Sequence, residues 1–152
     1  MEQGFDHKER RLREALRDLE RERLQILRER VQQMGVAIGI GLPSVLSALY
    51  EKDNITQREL SENCARDTAT LSRALDRLEE SGWIERRQDP DSRRCFRVVL
   101  TESGRSVAKG VREAYAEIDK TMFEGFAEEE LDRLYAALGK IRSNLNSKMD
   151  ER

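Results

Sequence analysis

Long apolar runs are missing from this sequence: nowhere in its 152 residues does one approach the roughly 18 needed to cross a bilayer. The opening residues MEQGFDHKER are charged where a secretory segment would hold its apolar stretch. A cytoplasmic protein with no membrane partner is expected. Cysteine is scarce as well. Cys64 and Cys95 are isolated thiols without C-x-x-C spacing, which excludes a disulfide framework and a thiolate metal site and fits a reducing compartment. The single histidine, His7, lies in an arginine-rich terminus, so the chain offers no histidine dyad and no histidine-based metal cluster. Glycine gathers at GVAIGIGLP, residues 35–43, yet a phosphate-cradling loop follows a buried strand, and here a long charged helix precedes it. These absences leave no catalytic residue, metal or cofactor to nominate, and no enzyme.

What remains is helical. Two prolines, 38% charged residues and long stretches of Leu, Ala, Arg and Glu favour helices over a sandwich or barrel, at a length typical of one domain. The net charge of −2 hides local polarity: residues 8–30 carry nine basic against six acidic side chains, and residues 102–152 nine against eleven. From Lys8 to Met34, Leu12, Leu16, Leu19, Leu24, Leu27, Val31 and Met34 recur mostly three or four apart, the stripe of one long amphipathic helix. Pro43 opens a second helix with Val45, Leu46, Leu49 and Tyr50 on its apolar face.

The middle of the chain changes period twice. Thr56 with Glu59 three residues on is a capping box, opening a short helix with Leu60 and Cys64 inward. Asp67 or Thr68 then caps another, with Leu71, Leu75 and Leu78 inward and Ser81-Gly82 ending it. Two short helices around so tight a turn make a helix-turn-helix. Trp83–Gln88 and Cys95–Leu100 follow as strand-like segments about a DPDSRR turn, a hairpin attached to the helix-turn-helix. Two more striped helices close the chain, one opening at Thr101–Gly104 with Val107, Val111, Tyr115, Ile118 and Met122, the other over about Glu128–Met149 with Leu131, Leu134, Leu138, Ile141 and Leu145. The expected fold is mostly α with a small β-hairpin wing, an α+β winged helix-turn-helix. It is read as one domain, 1–152, with a winged lobe over 43–101. Helices over 8–34 and 102–149 carry more apolar stripe than so small a lobe can bury and are read as the dimerisation domain.

A helix placed this way presents its first turns to the major groove of double-stranded DNA. Arg73 has the fork to pair with guanine, Thr70 and Ser72 the hydroxyls for base edges or phosphates, and Ala69 the small size for close approach; Thr68 starts the helix and Arg77 lies one turn beyond Arg73. Four arginines surround the wing turn. Arg93 and Arg94 at the tip suit the backbone or a narrow minor groove, whereas Arg86 and Arg87, with Arg97, either meet phosphate or pair with Glu85 and Asp89. The competing readings are an ordinary solvated helix start and hairpin, and a winged helix that binds protein, since residues 56–101 hold nine arginines against nine acids.

The ordered motifs PSVLSALYEKDNITQREL, TATLSRALDRLEESGWIERR, RQDPDSRRCFRVVLTESG and FAEEELDRLYAALGKIRSNL together resemble the multiple-antibiotic-resistance regulator (MarR) family of bacterial winged-helix transcription factors, over about residues 35–147. The resemblance implies an obligate homodimer on a near-palindromic operator, usually a repressor, released by a small aromatic or phenolic effector or by an oxidant. Met34, Ile38 and Tyr115 are the candidates for lining an effector pocket, with plain core as the alternative, and the few charges among them favour a mostly apolar aromatic. Cys64, with Arg66 nearby to lower its pKa, is the candidate redox switch; a buried, inert thiol is the alternative. The sequence departs from the family at the wing, where an aspartate is usual two residues before the arginine matching Arg94 and Ser92 stands here, with Asp91 beside it. The oxidant-sensing branch has its reactive cysteine near the N-terminus, and this chain has none there.

Overall fold

The computed structural model describes residues 2–35, 42–64 and 67–150, and the side chains of these except at 2–6, 93, 94 and 150. The chain divides into two units, one reaching to Ile118 and one from Asp119 onward. Among the described residues no helix is long and apolar enough to cross a membrane.

In the first unit, helix α1 spans Glu2–Gln33 and so begins before the expected Lys8. Its opening turns carry no apolar stripe, which is why periodicity alone starts the helix late. The stripe itself is buried only at its C-terminal end. Leu27 and Val31 enter the core, whereas Leu12, Leu16, Leu19 and Leu24 stay 41–63% exposed. Helix α2, Leu42–Glu51, takes Pro43 in its first turn and sends Leu42, Val45, Leu46 and Leu49 inward.

Strand β1, Ile55–Thr56, leads into helix α3, Gln57–Cys64. The capping box forms as the sequence indicates: the Thr56 amide donates to Glu59 Oε2 at 2.9 Å and the Glu59 amide to Thr56 Oγ1 at 3.2 Å. Helix α4, Thr68–Glu80, has Asp67 as its N-cap, accepting from the Thr70 amide at 2.8 Å. Leu71, Ala74, Leu75 and Leu78 bury one face of it, and Gly82 at φ +71° turns the chain out of the helix.

Strands β2, Ile84–Asp89, and β3, Ser92–Leu100, form the antiparallel hairpin, with a register shift between Gln88 and Asp89. The turn is therefore tighter than DPDSRR suggests, because β3 starts at Ser92. The sheet also gains a third strand. Ile55 pairs with Val98 and Thr56 with Arg97, giving the order β1-β3-β2 where a two-stranded hairpin is expected from sequence. Two residues are too few to show a period, so this strand exists through its partner's unpaired edge.

Helix α5, Glu102–Met122, starts against the sheet. The Thr101 hydroxyl donates to the Gly82 carbonyl at 2.7 Å and accepts from the Gly104 amide at 3.0 Å. A Cβ on Gly104 would stand 1.7 Å from the Trp83 carbonyl oxygen, so only glycine lets the helix approach this closely. Val111, Ala114 and Ile118 join the core with Leu27, Val31, Leu46, Leu75 and Ile84.

The second unit holds the end of α5, a turn with Gly125 at φ +83°, and helix α6, Glu128–Asp150. Phe123 and Phe126 meet edge to face with ring centres 6.4 Å apart. The α6 stripe of Leu134, Leu138, Ile141 and Leu145 is 41–62% exposed.

Candidate nucleic-acid interface

Capping fixes where α4 begins, and with it which side chains stand at its exposed end. Asp67 is held in its charged form by hydrogen bonds, first from the Thr70 side chain and then from the Thr70 amide, which lower its pKa below the usual aspartate value. Thr70 is thus occupied in part by the cap and is half-buried. Thr68, Ala69, Arg73 and Arg77 are exposed, and Ser72 is half-buried. Arg73 lies along its own helix, its Nε donating to the Ala69 carbonyl at 3.3 Å. A contact that long is easily exchanged for a stronger acceptor.

The wing arginines divide sharply. Arg86 is half-buried, with Nη1 2.6 Å from Glu79 Oε2 and Nη2 2.7 Å from Asp76 Oδ1, and its amide donates to Glu79 Oε1 at 3.2 Å. Burial works against its charge, but the bonds to Asp76 and Glu79 prevail and raise its pKa above the ordinary arginine value. With both ends of its fork on carboxylates, Arg86 ties β2 to α4; of the two alternatives open from sequence, phosphate or an ion pair, it makes an ion pair here, with Asp76 and Glu79 and not with Glu85 or Asp89. Arg87 is exposed and pairs with its neighbour Glu85 at 2.9 Å. A surface pair of that kind is worth little and yields readily to phosphate. Arg93 and Arg94 fall within β3, and their side chains lie outside the described residues.

Arg97 points elsewhere. Its Nε donates to Asp89 Oδ2 at 2.9 Å and its Nη1 to the Asn54 carbonyl at 3.0 Å. The pairing of a strand arginine with Asp89 is one of the two alternatives the sequence leaves open. What the sequence does not disclose is that Asp89 is 6% exposed, or that Asn54, at φ +56°, turns its carbonyl toward the sheet. The Asp-Asn pair at 53–54 was the available signal, since these residues favour turns and tolerate positive φ. The Asp91 amide donates to Asp89 Oδ1 at 2.8 Å.

The effector candidates are placed on the packing of α1 and α5. Met34 is exposed beyond the end of α1, and its sulfur would stand 2.8 Å from a Cβ built on Gly110. Tyr115 is half-buried beneath Arg23, whose guanidinium carbon lies 5.8 Å from the ring centre. A cation therefore stands where sequence suggests few charges, held in turn by Glu20 at 2.8 Å. Ile38 lies outside the described residues. Cys64 is half-buried with Sγ 3.8 Å from the Ser44 carbonyl, and Cys95 is exposed on β3. Arg66, the expected activator of Cys64, lies outside the described residues.

Residues 43–96, from α2 into the wing, match the MarR family. Two uncharacterised HTH-type transcriptional regulators of Bacillus subtilis (strain 168) are similar over 103 residues. YdgJ is 31% identical across 68% of this chain and 63% of its own length, and YsmB is 30% identical across 68% and 70%. The chain thus spans somewhat under two thirds of YdgJ. Among solved structures, the S. aureus MepR–DNA complex superposes with a TM-score of 0.77 at 26% identity, covering 86% of this chain and 95% of that one.

Proposed function

Since the chain belongs to the MarR family of transcriptional regulators, we propose that it is a homodimeric regulator that binds double-stranded DNA sequence-specifically, a repressor at a near-palindromic operator. The observation that carries this reading is the exposed start of α4, where Thr68, Ala69, Arg73 and Arg77 stand clear of the core while Arg86 covers the acids Asp76 and Glu79 on the same helix. Left uncovered, those two carboxylates would repel a phosphate backbone. Arg73 reads a base in the major groove, with Thr68, Ala69, Thr70 and Ser72 around it and Arg77 reaching toward phosphate. Arg87, Arg93 and Arg94 serve the flanking backbone or minor groove.

The dimer reading rests on the stripes that each unit leaves uncovered, Leu12–Leu24 on α1 and Leu134–Leu145 on α6. A second copy is the partner that supplies matching faces, and two-fold symmetry places the recognition helices at half-sites about 10 bp apart. Selection of duplexes from a random-sequence pool, followed by footprinting, tests the whole reading. A protected near-palindrome with two half-sites is expected, and failure to enrich any sequence refutes it.

Control is assigned to a small aromatic effector near Met34 and Tyr115. The effector is a small, mostly apolar aromatic, and the guanidinium of Arg23 over the Tyr115 ring is already paired with Glu20. A thiol switch at Cys64 is the rival. Titrating the DNA complex with aromatic acids, and separately with peroxide, for the wild type and Cys64→Ser separates the two. Release by peroxide alone, abolished in Cys64→Ser, would replace the effector reading with a redox switch.

A further inference from the structure

Among the described residues, Asp89 is the one charged side chain in the buried set. It stands at the last position of β2, where the register of the hairpin shifts, at the base of the wing tip. A buried carboxylate is unfavourable unless its oxygens are occupied, and both are: Oδ1 takes the Asp91 amide at 2.8 Å and Oδ2 takes Arg97 Nε at 2.9 Å. Arg97 continues across the sheet, its Nη1 reaching the Asn54 carbonyl at 3.0 Å. The neighbouring Asp53 accepts from the Asn54 and Leu100 amides at 2.8 and 2.9 Å and pairs with Arg105 on α5. A polar chain therefore runs from the wing turn, through the sheet, to the first turns of α5.

We propose that Asp89 and Arg97 are positioning residues for DNA binding: the pair fixes the wing tip relative to the helix-turn-helix and makes no DNA contact of its own. The proposal rests on the DNA-binding reading above. Its physical basis is that two arginines at a hairpin tip engage a backbone efficiently only if the tip is already ordered, since a mobile tip loses conformational entropy on binding. Arg97 is engaged through Nε by Asp89 and through Nη1 by Asn54, so its guanidinium is oriented along the sheet and toward the β1 turn.

Asp89→Asn and Arg97→Lys test it. Asparagine keeps the shape but sets an amide against a guanidinium or loses the Asp91 bond, and lysine keeps the charge but cannot span Asp89 and Asn54 together. Amide hydrogen exchange on the free chain reads wing order, and affinity for a selected duplex is measured across a salt series. In both variants the amides of residues 91–96 are expected to exchange about tenfold faster while those of Leu71–Leu78 are unchanged. Affinity should fall about tenfold, with a salt slope shallower by about one, and base preference should be kept. Unaltered wing exchange overturns the proposal. Faster exchange with unaltered affinity and salt slope overturns it equally. Should Asp89→Asn lose protection at Leu71–Leu78 as well, Arg97→Lys decides. A wild-type chain that binds no duplex refutes the DNA reading itself, and the exchange pattern still decides whether the pair orders the wing.

Discussion

Arg73 and Arg87 both stand at exposed positions, yet they are expected to do different things. Arg73→Ala should relax base preference at one operator position and weaken specific binding by about 1–3 kcal/mol, because a bidentate base contact is lost. Arg87→Ala should weaken binding to all sequences alike and flatten the salt slope by about one, the mark of a lost phosphate contact. Binding titrations over a salt series on cognate and scrambled duplexes distinguish the two outcomes. The cap residues predict a pH effect. The pKa values of Asp67 and Glu59 are both lowered, Asp67 first by the Thr70 side chain and Glu59 first by the Thr56 amide. A lowered folded-state value means that the stabilisation is fully present above the ordinary carboxylate range and is lost as pH falls through the depressed value. Amide exchange at the starts of α3 and α4 should therefore accelerate only on the acid side of about pH 4, and Asp67→Asn, which retains capping, should remove much of the pH dependence at α4.

At the scale of elements, the junction of wing and α5 depends on two glycines for different reasons. Gly104 faces the Trp83 carbonyl at a separation no Cβ can share, so Gly104→Ala must push α5 away from the sheet and should cost about 3 kcal/mol or more. Gly82 has open space around it but a φ of +71°, so Gly82→Ala costs only the left-handed backbone, about 1–2 kcal/mol. Urea unfolding of the two variants tests this ranking, and equal effects would show that the close approach of α5 is not required. The helices were legible here because each carries a periodic apolar face and a cap: Leu71, Leu75 and Leu78 with Asp67, or Thr56 with Glu59. Strand β1 was not, because Ile55 and Thr56 acquire their role from the edge of β3, more than forty residues away in sequence.

For the molecule as a whole, sedimentation velocity should give a two-chain species at micromolar concentration. Leu16→Glu and Leu138→Glu, each placing a charge in an uncovered stripe, should shift it toward monomer and weaken operator binding in parallel. A wild-type monomer at that concentration would refute the dimer. The two substitutions report on α1 and α6 separately, so the contribution of each unit is measured independently.

By itself the sequence determined the order of helices and wing, the Thr56–Glu59 capping box and the arginine-rich hairpin, since these depend on local periodicity and on side chains a few positions apart. It also narrowed the function, because a helix start followed by a basic hairpin is a local pattern. Tertiary structure alone decided which of two neighbouring arginines is braced against α4. Arg86 and Arg87 are neighbours of identical chemistry, yet packing of β2 beside α4 sets Arg86 between Asp76 and Glu79 and leaves Arg87 exposed. Likewise Asp89 and Asp91 flank one proline, and only the bend of the hairpin buries the first against Arg97. Strand neighbours point to opposite faces, and which face is covered depends on residues distant in sequence.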